Sequence, residues 1–479
     1  MLMANIDNIR KSFFEESSQS SLGRLGFVGF LFFLLATMGI ASTGSGRWLM
    51  FGSLSIRMVL LIISGCLTLP ILIKNIKKIL LNQFTVSLIL LAIVIAINAA
   101  RGILSENNNY VLMQDLRGFA YFIVFPLLLV YLKDKKRLEI FMKCIIFSST
   151  LLGVVVLWVA IQFAFTMGLS GWNFYHLHEI SFIWIVVEGD LILRIFSQSH
   201  LYFICNIAFS IYFYLREKPK KYTFIYCISS SLSLLGIWVT FARSSYLAVF
   251  VGAVIVMIAV LLINKQYKYV LLYGIKTVAL FGFLIFVISF PSTSNYLSLG
   301  ISRVLVSFES YEWRGDYIPA EEYTPPYEPE HPMQVTIDSD ALRALTAANL
   351  REQIMQSPIF GSGLGAATTV RDDGFTEFFY LDTVNKMGIV GLFTYLLPLI
   401  LMLIIATRAI YLFLKKKADQ PQIVIIVIAC LIAFMTASIF NPYMNSLLGI
   451  FMYCTAMAIC SADVFNKTSI KEQLSGIDI

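Results

Sequence analysis

Arg243 is the residue hardest to place without a chemical task. It stands in VTFARSSYLAVF, between two apolar runs with almost no loop to house it. An ionisable group at the edge of a bilayer must face a polar cavity or a partner. Arg194 in LRIFSQSHLYF, and Arg343 and Arg351 in RALTAANLREQIMQSPIFGSGLG, fall on the same side of the chain once its loops are sorted by charge, as do Arg47, Arg101, Arg117, Arg303, Arg314 and Arg371. Arginine suits anionic oxygens because its planar fork donates two parallel hydrogen bonds to phosphate or carboxylate. Any single member of the set can instead snorkel to lipid phosphates or pair with Asp and Glu. Lysine would snorkel equally well and is nearly absent from this side, so the set as a whole points to a phosphate or pyrophosphate headgroup.

Carboxylates gather near one of these arginines in sequence. Asp372, Asp373, Glu377 and Asp382 precede a helix expected to start near Gly388, where a carboxylate can act as general base or bind sugar hydroxyls. Asp372 and Asp373 read better as N-terminal capping and dipole partners. His176, His178 and Glu179 in FYHLHEIS would place two imidazoles on one side of a strand. No third and fourth ligand follows at a familiar spacing, so aromatic packing at a membrane interface is the reading and no metal is expected. His331 lies in a Pro/Glu-rich stretch and reads as exposed. The seven cysteines, Cys66, Cys144, Cys205, Cys227, Cys430, Cys454 and Cys460, all fall in apolar runs without a CxxC pattern and read as small hydrophobic fillers. Searches for a Ser/His/Asp set, a P-loop and HExxH give nothing.

The elements that must hold these residues follow from composition. The chain of 479 residues is 58% hydrophobic and 14% charged, with a mean hydropathy of +0.78. Soluble domains carry about 25% charged residues. Such a chain needs lipid as its solvent, and its long unbroken apolar runs choose helices over a barrel. Runs long enough to span lie near 23–43, 53–73, 81–100, 116–132, 140–166, 199–215, 222–241, 245–263, 269–291, 387–412, 422–440 and 443–462. The 116–132 run contains Arg117 and Pro126 and is the weakest of them.

Connections rich in Lys alternate with connections poor in it, and short positive loops stay in the cytoplasm. The net charge of +7 is therefore an orientation signal, and no nucleic-acid partner is expected. The expected fold is an all-α polytopic membrane protein of about twelve transmembrane helices with a large, partly helical outer loop. The expected layout is a cytoplasmic tail over 1–22, a helix bundle over 23–290, the outer loop over 291–386, further spans over 387–463, and a second cytoplasmic tail over 464–479. Within the loop, Asp338 or Ser339 can cap a helix that Pro358 and Gly361 end. The polar, mixed-charge start to the chain lacks an apolar core and a small-residue cleavage site, so no signal peptide is expected.

Four stretches together resemble the O-antigen ligase and polysaccharide polymerase superfamily. TFARSSYLA (240–248) is similar to its TxSRxxxLA signature. RALTAANLREQIMQSPIFGSGLG (343–365) resembles its outer-loop helix, which an Arg opens and a P-x-x-G-x-G turn ends. EFFYLDTVNKMGIVGL (377–392) resembles the next block, with its G-x-x-G-L pattern, and LRIFSQSHLYF (193–203) resembles a weaker earlier one. Their order and spacing match over about 190–395. The resemblance implies a glycosyltransferase of the bacterial plasma membrane that takes a sugar chain from a polyprenyl pyrophosphate carrier on the outer face. It needs no nucleotide sugar, metal or cofactor. It implies that Arg243 and Arg343 hold the donor pyrophosphate, with Arg194 and Arg351 as further contacts. The implied partners are the lipid-linked donor, an acceptor glycan, membrane lipids, and flippase and chain-length regulator proteins.

Ligases of the superfamily carry a His-Asn pair where this chain has Glu377 and Phe378. That departure turns the expectation from ligase to polymerase, with Glu377 as the base. A ligase or a protein O-oligosaccharyltransferase of the same superfamily would differ only in its acceptor. A flippase or transporter of lipid-linked sugar also suits about twelve helices, but such proteins often show two halves with matching broken helices, and no such halves are visible here.

Overall fold

The computed structural model describes residues 21–40, 50–51, 54–165, 184–188, 192–197, 199–217, 223–264, 267–290, 296–297, 300–301, 332–368, 376–415 and 422–461. In chain order the helices and strands are α1 (Ser21–Leu35), β1 (Met50–Phe51), β2 (Leu54–Ser55), α2 (Ile56–Lys74), α3 (Ile76–Leu80), α4 (Gln83–Leu104), α5 (Asn109–Ala120), α6 (Phe125–Tyr131), α7 (Lys135–Phe165), β3 (Trp184–Glu188) and β4 (Ile192–Phe196). They continue with α8 (Tyr202–Glu217), α9 (Phe224–Trp238), α10 (Arg243–Asn264), α11 (Tyr267–Ser289), α12 (Pro332–Gln356), α13 (Phe379–Leu414), α14 (Gln422–Ala437) and α15 (Leu447–Ser461). The strands form two antiparallel two-stranded ribbons.

Seven helical segments are long and apolar enough to cross a membrane, and four more apolar helices are shorter, among the described residues. The chain is thus an all-α, multi-pass membrane protein. The expected 116–132 span becomes three pieces, α5, a 3-10 turn at Tyr121–Val124, and α6 with Pro126 in its first turn. Proline fits there because the first-turn N–H groups have no helical partner.

Lipid is as apolar as leucine, so packing and interhelical hydrogen bonds must hold the bundle together. Small residues let backbones close in. A Cβ on Gly153 would stand 2.9 Å from the Cβ of Leu232, and one on Gly236 would overlap Phe203. Polar side chains bond across helices. Asn206 on α8 donates to Ser233 at 2.7 Å and accepts from Ser229 at 2.8 Å, both on α9. Tyr131 on α6 meets Ser64 and Thr68 on α2. Five of the seven cysteines are buried and none is paired. The exceptions are half-buried Cys144 and exposed Cys66, which shares α2 with other exposed apolar side chains such as Ile62 and Leu69.

The two ends of the bundle differ in charge. At one end, the last turn of α2 and α3 carry Lys74, Lys77 and Lys78, and the connection into α7 carries Lys133, Lys135, Lys136 and Arg137. The same end pairs Arg216 with Glu139 at 2.7 Å and brings Ser461 within 3.5 Å of Asn82. α13 finishes there at Leu414, with Lys415 following it. The opposite end holds the C-terminus of α4, the start of α13, the α9–α10 turn and the α14–α15 turn. Among the described residues, the lysine-rich connections thus lie at one end and Arg101, Arg194, Arg243 and Arg343 at the other.

α12 differs from its expected form. It begins at Pro332 rather than at a cap on Asp338 or Ser339. Both of those residues lie inside the helix, because Pro332 supplies a favoured first helical position. Arg343 accordingly sits in mid-helix rather than opening it. The helix stops at Gln356, ahead of Pro358 and Gly361 as expected.

Candidate functional site at the arginine-bearing end

The α9–α10 connection is a four-residue turn, and it explains the TFARSS spacing. Thr240 Oγ1 donates to the Ile237 carbonyl at 2.7 Å and accepts from the Ala242 N–H at 3.1 Å. Phe241 adopts a left-handed backbone, φ 48°. That is costly for a bulky side chain and persists only where the surroundings impose it. Here Phe241 is buried and stacked on Tyr296. The turn sets Arg243 at the first position of α10. Strand β4 is fastened to the same turn. Ile195 N–H donates to the Val239 carbonyl at 3.1 Å, and Arg194 Nε donates to the Thr240 carbonyl at 3.4 Å. Arg194 also lies 4.7 Å from the ring of Phe196. Two arginines far apart in sequence are thus delivered by one backbone feature.

A polar cluster joins this turn to the α14–α15 turn. Asn441 donates to Ser244 Oγ at 2.7 Å. His200, 3% exposed, has Nδ1 2.5 Å from the Ser197 carbonyl. Its Nε2 is 3.1 Å from Ser245 Oγ and 3.3 Å from the Tyr443 hydroxyl. Burial lowers the His200 pKa and raises that of Tyr443 to about 12, with Arg343 and Arg194 both pulling the latter down electrostatically.

Arg343 on α12 makes an ion pair through Nε with Glu377 Oε2, just before α13. The two side chains are 29% and 22% exposed. Arg194, Arg243, Arg343 and Glu377 thus come from four separate parts of the chain and lie at one end of the bundle. An anion with several oxygens, beside a group able to accept a proton, is what this arrangement suits. Arg351 stands on α12 two turns beyond Arg343 with an exposed side chain.

The placement of Arg343 depends on the glycine-rich turn that follows α12. That turn lies between α4 and a break in α13. Gly388 has φ 66° and ψ −173° inside α13, so the helix loses hydrogen bonds there. Ile389 and Val390 N–H groups donate instead to the carbonyls of Pro358 and Ile359, at 2.9 and 3.3 Å. In return, Ser362 and Gly363 donate to the carbonyls of Asn385 and Lys386, and Leu364 donates to that of Asn98. Gly363 has φ 91°, and a Cβ on it would stand 2.6 Å from the Gly102 nitrogen. Asn107 Nδ2 reaches the carbonyls of Ser362 and Leu364, each at 3.1 Å. Arg101 Nη1 donates to the Phe360 carbonyl at 2.8 Å, so its guanidinium serves the turn. Arg117 reaches Tyr121 in the 3-10 turn that follows its helix.

Beneath the turn lies a buried charge triad. Lys386 Nζ is 2.8 Å from Asp115 Oδ1 and 2.9 Å from Asp382 Oδ2. The other Asp115 oxygen accepts from the Gly365 N–H at 3.0 Å. Asp382, a candidate base by sequence, is thereby committed to a structural ion pair.

His176, His178, Glu179, His331, Asp372, Asp373, Arg47, Arg303, Arg314 and Arg371 lie outside the described residues. Among the described residues no group of three or more His, Cys, Asp or Glu could hold a metal ion. Sequence reasoning passed over His200, Asn441, Tyr443, Asp115 and Lys386. Two signals could have found some of them. Lys386 is a lone lysine on a lysine-poor side, and Asn441 and Tyr443 flank a proline in a very short connection. No protein-family model matches the chain, and no curated protein matches it.

Proposed function

We propose that the protein is a polysaccharide polymerase that joins polyprenyl-pyrophosphate-linked oligosaccharide repeat units on the outer face of a bacterial plasma membrane. The observation that carries this reading is that the Arg343–Glu377 ion pair lies at the same end of the bundle as the turn that carries Arg243 and holds Arg194. The chain crosses the membrane about twelve times, with both termini cytoplasmic. The Lys-rich end of the bundle faces in and the arginine-bearing end faces out. α12 lies over the donor headgroup, while the lipid tail lies between helices.

In the reaction, an acceptor sugar hydroxyl attacks the anomeric carbon of the donor chain. Glu377 takes the hydroxyl proton as the new C–O bond forms. The bond from that carbon to the phosphate oxygen breaks on the opposite face, so the anomeric centre inverts. The electron pair leaves with the polyprenyl pyrophosphate, whose growing charge the arginines stabilise. Fixed donors aimed at developing charge are commonly worth about 10²–10³ in rate each.

Glycan profiling of cells lacking the gene, complemented with wild type or with Arg343→Ala, tests the reading. Single repeats should accumulate, and only wild type should restore long chains. Normal chain lengths trapped on the lipid carrier would indicate a ligase instead. An unchanged glycan profile would return the choice to a transporter of lipid-linked sugar.

A further inference from the structure

The exit of α12 and the turn that follows it leave large apolar side chains exposed. Met355 is 80% exposed, Ile359 55% and Phe360 56%, and Pro358 beside them is exposed as well. Exposed apolar patches of this kind mark a contact with a partner or a membrane. We propose that this tip is immersed in the leaflet at the arginine-bearing end of the bundle, where Met355, Ile359 and Phe360 contact lipid acyl chains. The inference stands on the multi-pass fold and requires no particular reaction at the arginines.

Depth gives the first support. The Leu364 N–H donates to the carbonyl of Asn98, which lies inside α4 rather than at its end, Leu104. With 22 residues, α4 is about 33 Å long, close to the hydrocarbon thickness of about 30 Å. The turn is therefore set beside the last turns of a spanning helix and does not stand above it. It is bonded equally to α13, through the Ile389 and Val390 N–H groups. Ile389 and Phe393 on α13 are exposed, as is Leu104 on α4. The apolar tip thus continues the exposed sides of two helices that are long and apolar enough to cross the membrane.

Hydrogen bonding gives the second. A loop in water can leave its carbonyls to solvent, whereas in hydrocarbon the protein itself must meet each one. Every carbonyl from Pro358 to Leu364 has a donor. Those of Pro358 and Ile359 accept from α13, and that of Phe360 accepts from Arg101. The Gly361 carbonyl accepts from the Ser357 hydroxyl at 2.8 Å. Asn107 Nδ2 serves those of Ser362, Gly363 and Leu364. An irregular segment with all these carbonyls satisfied from within and its large apolar side chains facing out is suited to lipid. It offers a protein partner few backbone groups to bond, which favours acyl chains over a second copy of the chain.

The test uses the full-length protein in vesicles of phosphatidylethanolamine and phosphatidylglycerol. The photoreactive residue p-benzoylphenylalanine replaces Phe360 in one sample and Phe393, on the spanning part of α13, in another. Illumination should join both positions to lipid, with the adducts on acyl carbons and yields within about threefold of each other, since both rings would lie in hydrocarbon. The unsubstituted protein supplies a second reading. Hydroxyl radicals made in the aqueous phase should oxidise Met355 at least about tenfold more slowly in vesicles than in the urea-unfolded chain, because oxidation follows access to the oxidant. Oxidation of Met355 near the unfolded rate would put the tip in water and overturn the inference. Adducts from position 360 to a second copy of the chain, in place of lipid, would overturn it as well and make the patch a dimer contact.

Discussion

The Asp115–Lys386–Asp382 triad and the Arg343–Glu377 pair lie on either side of the same glycine-rich turn, but they are built differently. Lys386 is 5% exposed, and its partners are 12% and 7% exposed. The lysine is shared by two carboxylates, and one of these also takes a backbone N–H. Arg343 and Glu377 are 29% and 22% exposed. A charge cluster this deeply buried is committed to structure, because removing one partner leaves a buried charge uncompensated. A more exposed pair with open edges retains capacity for a ligand. Residue type alone does not separate the two cases, since both contain a cation and a carboxylate a few residues from α13. Burial and the count of partners separate them.

The comparison can be broken most directly at Lys386. Lys386→Met should destabilise the protein by about 3–5 kcal/mol, leaving two buried carboxylates facing each other. Thermal unfolding in nanodiscs reads this, and an unchanged midpoint would remove the structural role of the triad. Arg343→Ala should do the reverse. Its unfolding midpoint should stay near wild type while polymer formation falls by about 10²-fold, read as initial rate with a defined lipid-linked donor. Gly363→Ala tests the turn between the two clusters. The left-handed backbone alone costs a non-glycine residue about 1–2 kcal/mol, and the contact with Gly102 adds to it. The unfolding midpoint should drop, and activity should drop with it as α12 loses its anchor.

Acid sharpens the comparison further. Burial holds the His200 pKa below its usual 6.5. The unfolded chain therefore binds more protons than the folded one once pH falls below 6.5. Stability is complete above that pH and is lost as pH drops toward the lowered value, with a slope of at most about 1.4 kcal/mol per pH unit. His200→Gln should lose less stability than wild type between about pH 7.5 and about pH 5, and parallel losses would refute the assignment. The smallest effect is expected at Arg351, which is exposed two turns from Arg343. Arg351→Ala should change the rate by less than about threefold, as fits an exposed charge, with salt removing most of the difference.

Much of this was legible in the sequence because membranes impose simple rules. Long apolar runs gave the helical class, and the Lys-rich connections predicted a polarity that appears as two chemically different ends. The arginines could be picked out because an unexplained charge beside an apolar run has few alternatives. The rest was hidden for physical reasons. Whether Asp382 is a base or a strut depends on Asp115, which lies far away in sequence on α5. The Pro332 start of α12 could not be chosen over Asp338 by capping preference alone, since both residue types favour a helix start. His200 and Tyr443 become meaningful only when β4, α10 and the α14–α15 turn meet.

The break in α13 at Gly388 has a consequence for how the protein is made. The N–H groups it frees are completed by Pro358 and Ile359, and the turn carrying those residues is completed by Asn98, Arg101 and Asn107. A helix emerging into lipid with open backbone donors is penalised until they are met. The α12 turn thus has no finished resting place until a helix from the first quarter of the chain and one from the last quarter are both in the bilayer. During synthesis the arginine-bearing end would close only after α13 has been inserted. A chain stopped before that point would hold Arg194 and Arg243 yet have nothing to dock Arg343 against.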